Sequence, residues 1–174
     1  AGPIAGFIVA VPVLLYGLTL SEVVDLSMIE SSFFLGDALL LKAATYLIFP
    51  GLGENSDIML HPIAFAGWIG LLVTMINLIP IGQLDGGHIA YALMGKKHDS
   101  FAKITFAGLI IMGITISVNW LVWAFLIIIL MRSVKHPPII NEKDPLTIRD
   151  KIIGIICVII FILCFIPAPL STNM

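Results

Sequence analysis

Apolar residues along this chain come in long runs, and the polar residues gather in a few short breaks between them. Residues 3–20 form the first run, opened by Pro3 in a position suited to the first turn of a helix, and predict a membrane-spanning helix. Gly2 and Gly6 form a GxxxG pair of the kind that lets a second helix approach closely. An acidic stretch with Glu22, Asp25 and Glu30 follows. Residues 33–50 are again apolar but are interrupted by Asp37 and Lys42, with a second acidic stretch, Glu54 and Asp57, beyond them. Like flanks place both ends on one side, so this segment reads as an interfacial or re-entrant helix. Residues 61–76 predict a helix crossing inward, with Ala66, Gly67 and Gly70 as small packing positions.

The pattern breaks over residues 77–87 and resumes as a short helix over 88–93. A basic loop over 95–103 holds Lys96, Lys97, His98 and Lys103, and the excess of positive charge assigns it to the cytoplasmic side. Residues 104–131 are long enough for one span, yet both flanks are basic, Lys103 on one side and Arg132 and Lys135 on the other. That parity predicts a hairpin turning near 117–119, with Trp120 and Trp123 at a membrane interface. Residues 133–151, which include His136-Pro137-Pro138, read as a cytoplasmic loop. A last span over 152–166 ends at Pro167 and Pro169.

Composition sharpens the picture. Apolar residues are 59% of the 174 and charged residues only 11%, against about a quarter charged in a soluble domain. The expected fold class is therefore an all-α polytopic membrane protein, a transmembrane helix bundle forming a single membrane domain over residues 1–174, with the lipid bilayer as its main partner. The formal net charge of -2 carries no basic stripe and excludes a nucleic-acid partner. Cys157 and Cys164 are seven apart on one predicted helix, roughly 10 Å and too far to bridge. They read as packing or lipid-facing residues.

Candidate chemistry lies in the break, Asn77-Leu78-Ile79-Pro80-Ile81-Gly82-Gln83-Leu84-Asp85-Gly86-Gly87. Backbone at membrane depth must be satisfied internally, so an Asn, a Pro, an Asp and adjacent glycines in apolar sequence require a reason. Pro80 removes a donor and stops the helix. Gly82, Gly86 and Gly87 permit positive φ and close backbone approach, giving an unwound, re-entrant-like stretch. A carboxylate here costs several kcal/mol unless it is paired, hydrated or bound to a cation. Its bland role is to cap a helix beginning near His88, which leaves Asn77 and Pro80 unexplained. His88 reads as a hydrogen-bonding or interfacial residue before a ligand, His61 as an interface marker, and His98 and His136 as solvated.

Asn77, Pro80, Asp85, Gly86 and Gly87 fit N-x-x-P-x-x-x-x-D-G-G, and Ala1-Gly2-Pro3-Ile4-Ala5-Gly6 fits A-G-P-x-A-G. In both elements the chain resembles the site-2 proteases, the intramembrane zinc metalloproteases of peptidase family M50. The resemblance implies that zinc is the cofactor and that transmembrane proteins are the substrates. It implies further that Asp85 is the third metal ligand beside the two histidines of an H-E-x-x-H helix whose Glu activates the attacking water. Asn77 would stabilise the substrate backbone, and Pro80, Gly86 and Gly87 would shape the segment that positions it. No H-E-x-x-H occurs in these residues, and His61, His88, His98 and His136 lack its spacing. The expectation is that the chain is a piece of a longer protein, partnered by an N-terminal segment that carries H-E-x-x-H, and inactive alone. The alternatives are a non-catalytic membrane scaffold or chaperone of the same fold, and a transporter using Asp85 and Asn77 as an ion site.

Overall fold

The computed structural model describes residues 2–26, 33–53, 55–131 and 146–172. The chain is predominantly helical and divides into two compact units, one comprising Ala1–Met75 with Ile162–Met174 and the other Ile76–Phe161.

In the first unit, α1 (Gly2–Thr19) packs against α3 (Pro62–Asn77) through small residues. A Cβ on Gly17 would meet the backbone of Ala64, one on Gly67 the backbone of Leu14, one on Gly70 the Ala10 side chain, and one on Gly6 the Thr74 hydroxyl. Positions rising along α1 therefore meet positions falling along α3, an antiparallel seam in which missing side chains bring the backbones together. The expected small positions Gly67 and Gly70 take part. Ala66 does not: it is exposed, and Ala64 lies in the seam in its place. Thr74 directs its hydroxyl back to the Gly70 carbonyl at 2.7 Å, so its polar atom enters the seam already bonded.

The start of α3 is set locally. Pro62 occupies the first helical position, where its missing N–H costs nothing. His61 Nδ1 accepts from the Ile63 N–H at 3.2 Å, and the Ser21 hydroxyl accepts from the His61 N–H at 2.9 Å. His61 thus caps α3.

The acidic stretches are not loops alone. β1 (Glu22–Asp25) pairs antiparallel with β3 (Ser56–Met59), in the register Glu22 to Met59 through Asp25 to Ser56. β2 (Phe33–Leu35) pairs with β4 (Leu170–Thr172). Neither pair shows a local strand pattern; each exists because a remote segment supplies the ladder partners. The segment expected as an interfacial helix becomes β2 followed by α2 (Leu39–Ile48), with Leu41 and Ala44 buried and Leu39, Tyr46 and Leu47 exposed. Trp68 on α3 donates its indole N–H to the Gly36 carbonyl at 2.8 Å, fastening the β2–α2 connection.

In the second unit, α4 (Asp85–Met94) leads through a 3₁₀ turn, Gly95–Lys97, into α5 (His98–Thr115) and α6 (Asn119–Met131). The expected hairpin is present. Ile116 and Ser117 both donate to the Met112 carbonyl, Trp120 donates to the Ser117 carbonyl at 3.0 Å, and the Asn119 amide donates to the Ser117 hydroxyl at 2.8 Å. Gly113 lies against Leu121, closing the two arms. Trp120, expected at an interface, is fully buried.

Residues 95–103, expected as a loop, are helical. His98 and Ala102 are buried four residues apart, while Lys97 and Lys103 are exposed; these two lysines lie on the outer side of the helical segment, and His98, read as solvated, packs edge-on to Tyr91 with ring centroids 5.9 Å apart. Most of the expected loop 133–151, with His136, lies outside the described residues. Its last residues belong to α7 (Ile148–Cys164), which starts before the expected 152 because Thr147 and Asp150 cap each other. The Thr147 N–H donates to the Asp150 carboxylate at 3.0 Å and the Asp150 N–H to the Thr147 hydroxyl at 3.3 Å, a capping box. Cys157 and Cys164 are buried free thiols on α7, packing residues rather than a bridge. By length and composition one helix among the described residues, α1, suffices to cross a membrane.

Two outcomes follow. Gly67→Ala places a methyl on the Leu14 backbone and is expected to destabilise by about 1–3 kcal/mol, whereas Gly108→Ala, where a Cβ meets nothing within 4 Å, is expected to be neutral or stabilising by about 0.5–1 kcal/mol; thermal unfolding in one detergent distinguishes them. The hydrogen bonds from Thr147 hold the Asp150 carboxyl below its ordinary value of 3.8. A depressed folded value means that the contribution is present above that ordinary value and is lost as pH falls through the folded one. Protection of the first-turn amides of α7, taken relative to their intrinsic exchange rates, should therefore fall on acidification, and Thr147→Ala, which removes the hydroxyl and keeps the backbone N–H, should reduce that pH dependence.

Candidate metal and substrate site

The break begins where α3 ends at Asn77 and finishes where α4 begins at Asp85. Pro80 cannot continue a helical ladder, and the backbone turns sharply around it. Ile79 donates to the Ile76 carbonyl at 3.1 Å, Ile81 to the Ile79 carbonyl at 2.8 Å, and Leu84 to the Ile81 carbonyl at 3.2 Å. Three apolar side chains anchor this irregular segment: Leu78, Ile79 and Ile81 are all buried, Ile81 completely. Burial on that scale gives an unwound stretch one conformation instead of many.

The glycines divide their roles. Gly82 alone of the three has positive φ, 56°, the left-handed region that a side chain disfavours. Gly86 and Gly87 lie within α4 and serve close approach: a Cβ on Gly86 would overlap the Leu78 carbonyl, and one on Gly87 the Gly82 carbonyl. The first turn of α4 is thus pressed onto the backbone of the break. Leu78 follows Asn77 and Gly86 follows Asp85, so this single contact ties the two ends of the break together.

Asp85 is the first residue of α4 and is exposed; the cap position is Leu84, extended at φ −63° and ψ 155°, with no side-chain cap bond. This corrects the expected start near His88, three residues later, and with it the capping role. Gly86 and Gly87 look helix-breaking in sequence, but inside the first turn they are tolerated because the adjoining backbone occupies the space their side chains would fill. As a first-turn residue Asp85 suits the helix dipole, and its oxygens are left to the outside. His88, one turn on, is exposed and donates its N–H to the Leu84 carbonyl at 3.0 Å. Asn77 and Pro80 are half-buried. Sequence reasoning missed the Leu78 carbonyl as a structural element, because no residue type announces a backbone contact across eight positions.

Chemically, the arrangement offers a carboxylate on a rigid helix start beside an interrupted backbone. Among the described residues no three His, Cys, Asp or Glu side chains gather as a metal centre requires. Asp85 thus stands among the described residues as a single exposed carboxylate at the helix start.

The sequence profile of Peptidase family M50 matches residues 1–118, and the chain belongs to that family. It is 31% identical over 180 residues to the probable zinc metalloprotease EGY2, chloroplastic, of Arabidopsis thaliana, covering 98% of this chain and 31% of that protein. To the probable zinc metalloprotease EGY1, chloroplastic, of the same plant it is 31% identical over 179 residues, 96% of this chain and 31% of that one. To the probable zinc metalloprotease EGY3, chloroplastic, of Oryza sativa subsp. japonica it is 32% identical over 127 residues, 69% of this chain and 21% of the relative. The chain spans about a third of the length of the first two. No solved structure matches.

Gly86→Ala is expected to force α4 off the break and to destabilise by about 3 kcal/mol, the upper end of the usual cost of an added methyl, because the Leu78 carbonyl it would overlap is itself anchored in the break. Gly82→Ala should cost about 1–2 kcal/mol from its backbone conformation. Urea or thermal unfolding of both variants checks the order.

Proposed function

We propose that this chain is the part of an intramembrane zinc metalloendopeptidase that supplies the aspartate metal ligand and the substrate-positioning segment, within a polytopic membrane bundle. The observation that carries the reading is the broken helix between Asn77 and Asp85, locked by Gly86 on the Leu78 carbonyl, in a chain of Peptidase family M50. Asp85 would hold zinc together with the histidines of an H-E-x-x-H segment on the N-terminal side, and zinc bound there would supply Lewis-acid activation of water for peptide hydrolysis.

The chain's own residues do the rest. A peptide bond inside a helix is shielded by its own hydrogen bonds, so a transmembrane substrate must unwind before it is cut. The amide of Asn77 both donates and accepts and satisfies the substrate backbone once it is unwound. Pro80 and the glycines keep the adjoining backbone irregular, and Gly86 and Gly87 hold the Asp85 carboxylate still while it binds.

A bilayer surround is supported by the side chains the helices expose. Ile152, Ile155, Ile159 and Ile162 on α7, Val122, Phe125 and Ile129 on α6, and Ile8, Val9 and Tyr16 on α1 are all at least half exposed; stripes of this kind in water would be an aggregation hazard. With lipid as solvent, the basic positions of 95–103 and the segment 133–151 face the cytoplasm, and cleavage falls toward that half of the bilayer.

The test is made on the whole natural protein in lipid nanodiscs. Zinc content is expected near one per protein, and Asp85→Asn is expected to reduce it while lowering cleavage of a transmembrane substrate by at least about a hundredfold. Asn77→Ala should lower cleavage with zinc retained. Absence of zinc from the whole protein, with a stable fold, would overturn the peptidase reading in favour of a non-catalytic scaffold.

A further inference from the structure

The first unit contains a cavity of about 780 Å³, within the range of small-molecule sites. Its inner lining is apolar, with buried Leu41 and half-buried Phe49, Ile58 and Leu60. Three charged residues also line it: Asp37 and Lys42, both exposed, and half-buried Asp57. Two carboxylates against one ammonium leave the polar part of the lining with a formal charge of −1, while the remainder suits a hydrocarbon chain.

We infer that this cavity binds a single-chain amphiphile with a cationic, ammonium-type head, the chain lying along Leu41, Phe49, Ile58 and Leu60 and the head beside Asp37 and Asp57. An anionic head would meet both carboxylates with only Lys42 to answer it; a neutral one would leave the excess charge unanswered. The geometry of Asp57 is compatible with this, because one of its oxygens already accepts from the Ile58 N–H at 2.7 Å and is held in place. Partial withdrawal from water raises the Asp37 carboxyl above its ordinary range; Lys42 opposes the shift and Asp57 adds to it. A cation beside Asp37 would relieve that cost. The inference is independent of the role given to Asp85.

The whole protein in phosphatidylcholine nanodiscs is photolabelled with a dodecylammonium carrying a terminal diazirine. Adducts should concentrate on Leu41, Phe49 or Ile58, and dodecyltrimethylammonium should compete about tenfold better than dodecyl sulfate. Asp37→Asn with Asp57→Asn should weaken labelling by the ammonium probe roughly fivefold, a partly exposed charge effect, while labelling by the matching dodecanol probe is unchanged. Thr45→Trp, which fills the cavity from its lining, should suppress both. Equal competition by ammonium and sulfate, or adducts spread over the apolar helix surfaces, would overturn the inference. So would displacement of the probe by a lysine-ended apolar peptide but not by dodecyltrimethylammonium, an outcome that makes the cavity a peptide site.

Discussion

The carbonyl of Leu78 lies where residue 86 would carry a side chain, and that exclusion determines how the chain re-enters helical structure after Pro80. Because nothing larger than glycine fits, the first turn of α4 rests directly on the break, and Asp85 is held by backbone instead of by a flexible side-chain contact. The buried Leu78, Ile79 and Ile81 secure the other side of the same contact. The conformation of the break is therefore over-determined: apolar anchors, one left-handed glycine and two close-packed glycines all require the same path. Under the proposed function such fixation would favour Asp85 as a metal ligand, since a ligand that moves weakens a site.

Absent side chains also govern the α1–α3 seam. Gly17, Gly67 and Gly70 allow backbone to approach backbone or a methyl group, which is how helices associate where lipid removes the usual hydrophobic drive. The two small β-pairs and the Trp68 to Gly36 bond then tie the irregular connections to the helices. In both units polar atoms near the irregular backbone find partners close at hand, as Thr74, His61 and Ser117 do, which is what segments shielded from water require.

The helices were legible wherever the signal was local. The ends of α1 and α3, the hairpin break between α5 and α6, and the break after Asn77 follow from run length, Pro80 and the basic flanks. The strands were not, because Glu22–Asp25 becomes a strand only when Ser56–Met59 lies beside it, and Phe33–Leu35 only when Leu170–Thr172 does. The basic residues around His98 misled for a related reason. Lysines at 97 and 103 mark a polar surface, but a polar surface belongs equally to a loop and to the outer face of a helix whose inner face buries His98 and Ala102.

Residue identity by itself determined that the chain is mainly helical and that it is interrupted between Asn77 and Asp85, because Pro80 cannot continue a helical ladder whatever packs around it. Tertiary structure alone decided that α4 starts at Asp85 and not near His88, that Gly82 differs in role from Gly86 and Gly87, and that Ala64 and not Ala66 lies in the helix seam. Each of these depends on which backbone comes to rest against which, a distance between positions remote in the chain that no local pattern encodes.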